Sequence, residues 1–251
     1  MQTLTRSLHN LWVIFKHEFA LYFISPVVYI LGAVWVGFSS FIFILYFNQF
    51  NQGMSEPTMS GTMGFLSTWV LMFIAPAMTM RLISEEINSG THELLFTAPV
   101  RDWEIVVGKW LASWGVLTVF VLITGLYGLF LTWRGNPDPG LLLANYLGLW
   151  LICGVTLTVG VFASSLTKYQ IASFLVAFGL LFALIFIYYI SYVIPNQTLS
   201  DIVNQLSLQN HQNKLFREGV VDWADIAYFV GMASVFLFLA TQVLSSRRWR
   251  S

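Results

Sequence analysis

The sequence predicts an all-α polytopic membrane protein with six transmembrane helices. Two observations carry this. Six stretches contain no Asp, Glu, Lys or Arg: 19–55, 57–80, 110–133, 139–167, 169–200 and 226–246, the shortest of them 21 residues long. A bilayer core needs about 20 apolar residues as a helix. The composition agrees: 57% of residues are hydrophobic and only 10% charged, where a soluble chain carries about 25% charged residues. The spans use up the chain, so a single membrane domain over 1–251 is expected, with no separate soluble domain.

The first element is a helix over 4–23. Leu4, Leu8, Leu11, Trp12, Phe15 and Phe19 recur at spacings of three and four, with Arg6, Asn10, Lys16 and His17 on other faces. That pattern predicts an amphipathic helix on the inner membrane surface. Ser25-Pro26 then turns the chain into the first span, 26–47, and the second span is expected over 61–81. No cleavable signal peptide is expected, because the first apolar span begins late and is too long for an h-region.

Between spans two and three lies the longest charged segment, 82–108. Gly90 can end the preceding helix, and Thr91 and Glu93 suit the start of the next. Pro99 stops that helix within about two turns, and Asp102 is expected to cap the third span. Leu94, Leu95 and Phe96 thus form a short apolar helix. It suits either a groove on a soluble partner or the membrane surface. Span three ends at Arg134-Gly-Asn-Pro-Asp-Pro-Gly140, a run of turn formers. Spans four and five meet at a tight loop around Thr167, Lys168 and Tyr169. In the outer segment 195–224, Leu199, Ile202, Val203 and Leu206 keep helical spacing, with Asp201 near the start. This predicts a short helix at the outer interface or dipping partway in.

Charge orients the spans. With the N-terminus cytoplasmic, nine Lys and Arg residues lie inside and three outside, Arg134, Lys214 and Arg217. The positive-inside rule selects this orientation, with both termini cytoplasmic. Trp103, Trp110, Trp133, Trp223 and Trp249 fall near span ends, where interfacial aromatics belong. The lone Cys153 lies within a span and reads as a small core residue.

The chemistry the chain lacks narrows its function. Net charge is zero, which argues against a nucleic-acid partner. No span core contains an ionisable residue of the kind that proton- or ion-coupled carriers use, although sodium sites built of carbonyls and hydroxyls stay compatible with the pattern. The four histidines, His9, His17, His92 and His211, lie outside the spans. There is no G-x-x-x-x-G-K-[ST] phosphate loop. If the chain does vectorial work, its energy arrives through a partner.

Glu85-Glu86, then Gly90-Thr91-x-Glu93-Leu94-Leu95, then Pro99, then Gly108-Lys109 resemble the coupling-loop motif of ABC-2 type permeases. The similarity is to the branch associated with gliding motility and nitrous-oxide-reductase maturation. Phe23-x-Ser25-Pro26 resembles that branch's N-terminal region. Phe216-x-x-Gly219-Val-Val-Asp222 and Asp225-x-x-Tyr228-Phe229 resemble its approach to the last span. The resemblance implies an export-type permease subunit in a bacterial cytoplasmic (inner) membrane, paired with itself or with a second permease subunit. It implies two cytoplasmic ABC ATPase subunits that dock on Glu85, Glu86, Gly90, Thr91, Glu93, Leu94, Leu95, Phe96, Pro99, Gly108 and Lys109. The chain itself would be no enzyme and hold no cofactor, ATP-Mg belonging to the partner ATPase. Two alternatives stay open: an ATP-driven mechanical coupler acting on an extracytoplasmic protein, and a carrier driven by an ion gradient.

Overall fold

The computed structural model describes residues 2–54, 56, 58–90, 100–191 and 193–248. Their regular elements are all helices, with no strand among the described residues. Six helical runs are long and apolar enough to cross a membrane: Pro26–Asn51, Ser60–Ser89, Asp102–Gly135, Pro139–Leu166, Gln170–Ser191 and Trp223–Arg247. These are the six predicted spans. With an even number of crossings, both ends of the chain lie on one side of the membrane.

Local chemistry sets the helix ends. Helix α1, Gln2–Ile24, stops before Ser25, whose hydroxyl accepts from the Val27 amide at 3.4 Å and opens α2, Pro26–Asn51. Proline at a first helical position costs nothing, because its missing N–H would have no partner there. The same device recurs at Asp138, which accepts from Gly140 N at 2.8 Å just before Pro139. The second span is the least regular. It runs as α3, Ser60–Phe65, a π-helical turn, Leu66–Val70, and α4, Leu71–Thr79, which contains Pro76. A turn over 80–83 leads into α5, Ser84–Ser89, which ends at Gly90 with φ 75°. Only glycine adopts that backbone without strain, so the predicted break at Gly90 is present.

The third span, α6, is Asp102–Gly135. Asp102 is not its cap, contrary to expectation. Arg101 is the N-cap, and its N–H donates to Glu104 Oε2 at 3.1 Å. Asp102 instead accepts from Ser245 Oγ at 2.6 Å, tying the start of span three to the end of span six. Helix α7, Pro139–Leu166, is the central span. Of its most apolar stretch 78% is buried, against 22% for the first and fifth spans and 11% for the sixth. It packs against α4, α6, α8 (Gln170–Ser191) and α11 (Trp223–Arg248). Cys153 lies fully buried on it. Close approach here depends on Gly160, where a Cβ would sit 2.0 Å from Thr79 Oγ1.

Segment 195–224 contains more structure than predicted. Helix α9, Gln197–Leu206, is capped by Asn196, which accepts from Thr198 N at 3.0 Å. No residue of α9 is buried, and it holds the predicted Leu199, Ile202, Val203 and Leu206. The chain then turns inward as α10, Leu208–Asn213, and a π-helical turn, Lys214–Glu218. Leu208, Gln212, Leu215 and Phe216 are all buried. Sequence reading missed this second helix because its core contacts, Leu208, Leu215 and Phe216, are separated by a run of Asn, Gln and His.

Two further expectations need correction. The apolar stripe of α1 does not act as one face. Leu11, Phe15 and Phe19 of that stripe turn toward the protein, with Ser7, Ile14, Glu18 and Tyr22, while Leu8 and Trp12 stay 64% and 61% exposed. Trp110 is not an interfacial anchor. It stacks on Trp114 at 4.9 Å and donates to Gly154 O at 2.9 Å within the core. Trp103, Trp133 and Trp223 are exposed as expected, and Trp249 lies outside the described residues.

Candidate functional site

The sequence directs attention to the loop between spans two and three. Thr91, Glu93, Leu94, Leu95, Phe96 and Pro99 lie outside the described residues. Glu85, Glu86, Gly90, Gly108 and Lys109 are described, and they form the two feet of that loop.

One foot is α5. The turn before it is held by Ser164 of the central span, whose Oγ accepts from Ile83 N and Ser84 N, each at 3.1 Å. Arg81 pairs with Glu85 across one turn, Nε to Oε2 2.9 Å. The other foot is the start of α6. A Cβ on Gly108 would meet Ile14 Cγ2 at 2.7 Å. The absence of a side chain at Gly108 is what lets α1 lie directly on α6.

The feet are joined by Lys109. Its side chain is 3% exposed, and Nζ donates to Glu18 Oε1 at 2.6 Å and to Glu86 Oε1 at 2.8 Å. Three elements therefore converge on one ammonium: α1 through Glu18, α5 through Glu86, and α6 itself. An unpaired charge at this depth would be costly, whereas two carboxylates with direct hydrogen bonds compensate it. Glu104, 1% exposed, adds a second tie to α1 by accepting from Asn10 Nδ2 at 3.0 Å. Tyr22 OH donates to Met78 O at 2.9 Å and lies 3.1 Å from Ser113 Oγ. Burial pushes the Tyr22 hydroxyl well above its usual ionisation range.

Sequence reading singled out Glu86, Gly108 and Lys109 but missed Glu18, Asn10, Glu104 and Ser164. A signal was present. Glu18 and Lys109 are each the last charge before a charge-free stretch, and charges at that depth need partners. A second buried pair lies at the opposite end. His211 Nδ1 is 2.5 Å from Asp225 Oδ1, and its ring stacks on Tyr228 at 3.9 Å. Among the described residues no group of His, Cys, Asp or Glu could hold a metal ion.

A six-span bundle whose charged loop feet gather at the end bearing the N-terminal helix is the architecture of a multi-pass membrane protein. The family comparison names the class further. Residues 12–249 match the ABC-2 family transporter protein domain, and the chain belongs to that family. It is thus a permease subunit of an ABC transporter, the non-catalytic membrane part of an assembly that pairs membrane subunits and includes ABC ATPase subunits. No curated protein matches the chain.

Proposed function

We propose that this chain is an export-type permease subunit of the gliding-motility and nitrous-oxide-reductase-maturation branch, set in a bacterial inner membrane with both termini cytoplasmic. Segment 82–108 is its coupling loop, and Leu94, Leu95 and Phe96 dock on a cytoplasmic ATPase. The observation supporting this reading is the buried Lys109 bridge. A displacement of α5 by a partner pulls directly on α6 and α1, because Glu86 and Glu18 share one ammonium. ATP closure in the partner thereby reaches the spans without any nucleotide site in this chain.

The test is the double variant Leu94→Asp with Leu95→Asp. Burying one leucine is worth about 1.5–3 kcal/mol, so loss of both should abolish co-purification of the ATPase or uncouple its turnover from transport. Insertion of the permease should be unchanged. A double variant that keeps both the ATPase and full activity would refute the docking assignment.

A second reading, a mechanical coupler to an extracytoplasmic protein, is favoured by one observation. Helix α9 presents Leu199, Ile202 and Leu206 at about half exposure, with no residue buried. Under this reading an α9 variant, Leu199→Asp with Ile202→Asp, would release an extracytoplasmic partner while ATP turnover continues.

A further inference from the structure

Beside the Lys109 bridge, a cavity of about 320 Å³ opens between α1, α2 and the end of the second span. Its wall changes character along its depth. Val28 and Leu31 from α2, with Ala77 and Met78 from α4, make an apolar part within the spans. Arg81, Glu85, Glu86, Glu18 and Lys109 make a charged part at the span ends. An occupant that satisfies both parts is an amphiphile, with chains along the spans and a head at the membrane surface.

The charges select the head. Arg81 and Lys109 stand against Glu18, Glu85 and Glu86, two cations to three carboxylates, so the cavity carries one net negative charge. Lys109 is 3% exposed and held from two sides, so a ligand reaches it poorly. Arg81 and Glu85 are 44% and 47% exposed, and an exposed pair of this kind holds weakly. Opened, it offers one guanidinium and one carboxylate a helical turn apart. We infer that this cavity binds an aminophospholipid of the adjoining leaflet, with Arg81 on its phosphate and Glu85 on its primary ammonium. A phosphocholine head has no N–H to donate to Glu85. A phosphoglycerol head would bring a net negative charge into a cavity that is already negative. A free phosphoethanolamine would leave the apolar wall uncovered.

The test places the full-length permease in nanodiscs of equal parts phosphatidylethanolamine, phosphatidylcholine and phosphatidylglycerol. One lipid at a time carries a photoreactive diazirine on its acyl chain, and labelled peptides are mapped by mass spectrometry. The ethanolamine probe should label the peptides holding Val28, Leu31, Ala77 and Met78 about tenfold more than the other two, the value of one charge-assisted hydrogen bond. Arg81→Gln with Glu85→Gln should reduce it to the choline level. Ala77→Trp should reduce labelling by all three probes. Excess soluble phosphoethanolamine should leave it unchanged. Equal labelling by the three lipids in the wild type overturns the inference, and that arm depends on no variant. So does a preference for the glycerol head, a preference that survives the double variant in a folded sample, or displacement by the soluble head group.

Discussion

Lys109 joins carboxylates from two other elements at one buried ammonium. Its two carboxylate partners differ in setting: the Glu18 side chain is 15% exposed and that of Glu86 27%. Removing the lysine takes the buried cation from between them, and breaking a buried pair costs about 3–5 kcal/mol. Lys109→Ala is therefore expected to lower the thermal unfolding temperature in detergent markedly. Adding Glu18→Gln and Glu86→Gln to Lys109→Met should recover most of that loss, because no charge is left at the bridge. If the triply neutral variant melts as low as Lys109→Ala, the lysine's role is packing and not pairing. A stable neutral variant that also loses ATP-coupled activity would show that the bridge serves transmission beyond stability. Gly108, next in sequence, works by absence, since any Cβ there would collide with Ile14.

At the scale of elements, the second span and the inward-turning α10 depend on each other. The π-helical turn Leu66–Val70 brings Ser67 and Thr68 to face Gln212. Gln212 Nε2 donates to Thr68 Oγ1 at 3.0 Å and to Ser67 Oγ. π-helical turns commonly mark functional places in a helix, and here the turn faces a helix that is otherwise polar. Gln212→Ala removes two buried hydrogen bonds, at a cost of about 1–3 kcal/mol, while Ser67 Oγ keeps Gly64 O and Thr68 Oγ1 keeps Gln209 Oε1. Backbone amides over 208–216 should then exchange with solvent as quickly as those of the exposed α9, while in the wild type they exchange more slowly. Equal exchange of 208–216 in both proteins would show that Leu208, Leu215 and Phe216 hold the segment unaided.

Across the whole molecule, the six spans bring the N-terminal helix, the loop feet, the Thr167–Tyr169 turn and the C-terminal helix end together. Arg247 Nη2 donates to Leu166 O at 2.8 Å at that same end. The orientation of this end rests on the nine-to-three bias of Lys and Arg. A cytoplasm-dependent reporter fused after Ser251 should be active, and one inserted near Asp138 inactive. An exterior-dependent reporter should give the reverse. Opposite labelling at either site alone would overturn the six-span arrangement, and at both sites would invert it and place segment 82–108 away from the cytoplasm.

The sequence by itself determined the number of spans, their approximate ends and the side on which charge gathers. These are local properties. A bilayer requires a certain apolar length, and backbone groups in it must be satisfied within the helix. The turns at Ser25-Pro26 and over Arg134–Gly140, and the stop at Gly90, act over a few residues, so they too were legible. The motif at Gly108-Lys109 could be recognised, but not its use. Only the tertiary structure decided that Lys109 meets Glu18, 91 residues away, and Glu86, 23 residues away. It also decided which side of α1 packs inward, that Trp110 belongs to the core, and that 208–216 turns back into the bundle. Each of these depends on which helix faces which. In an apolar medium that choice is made by close fit and by pairing of scattered polar groups, neither of which leaves a periodic trace along one chain.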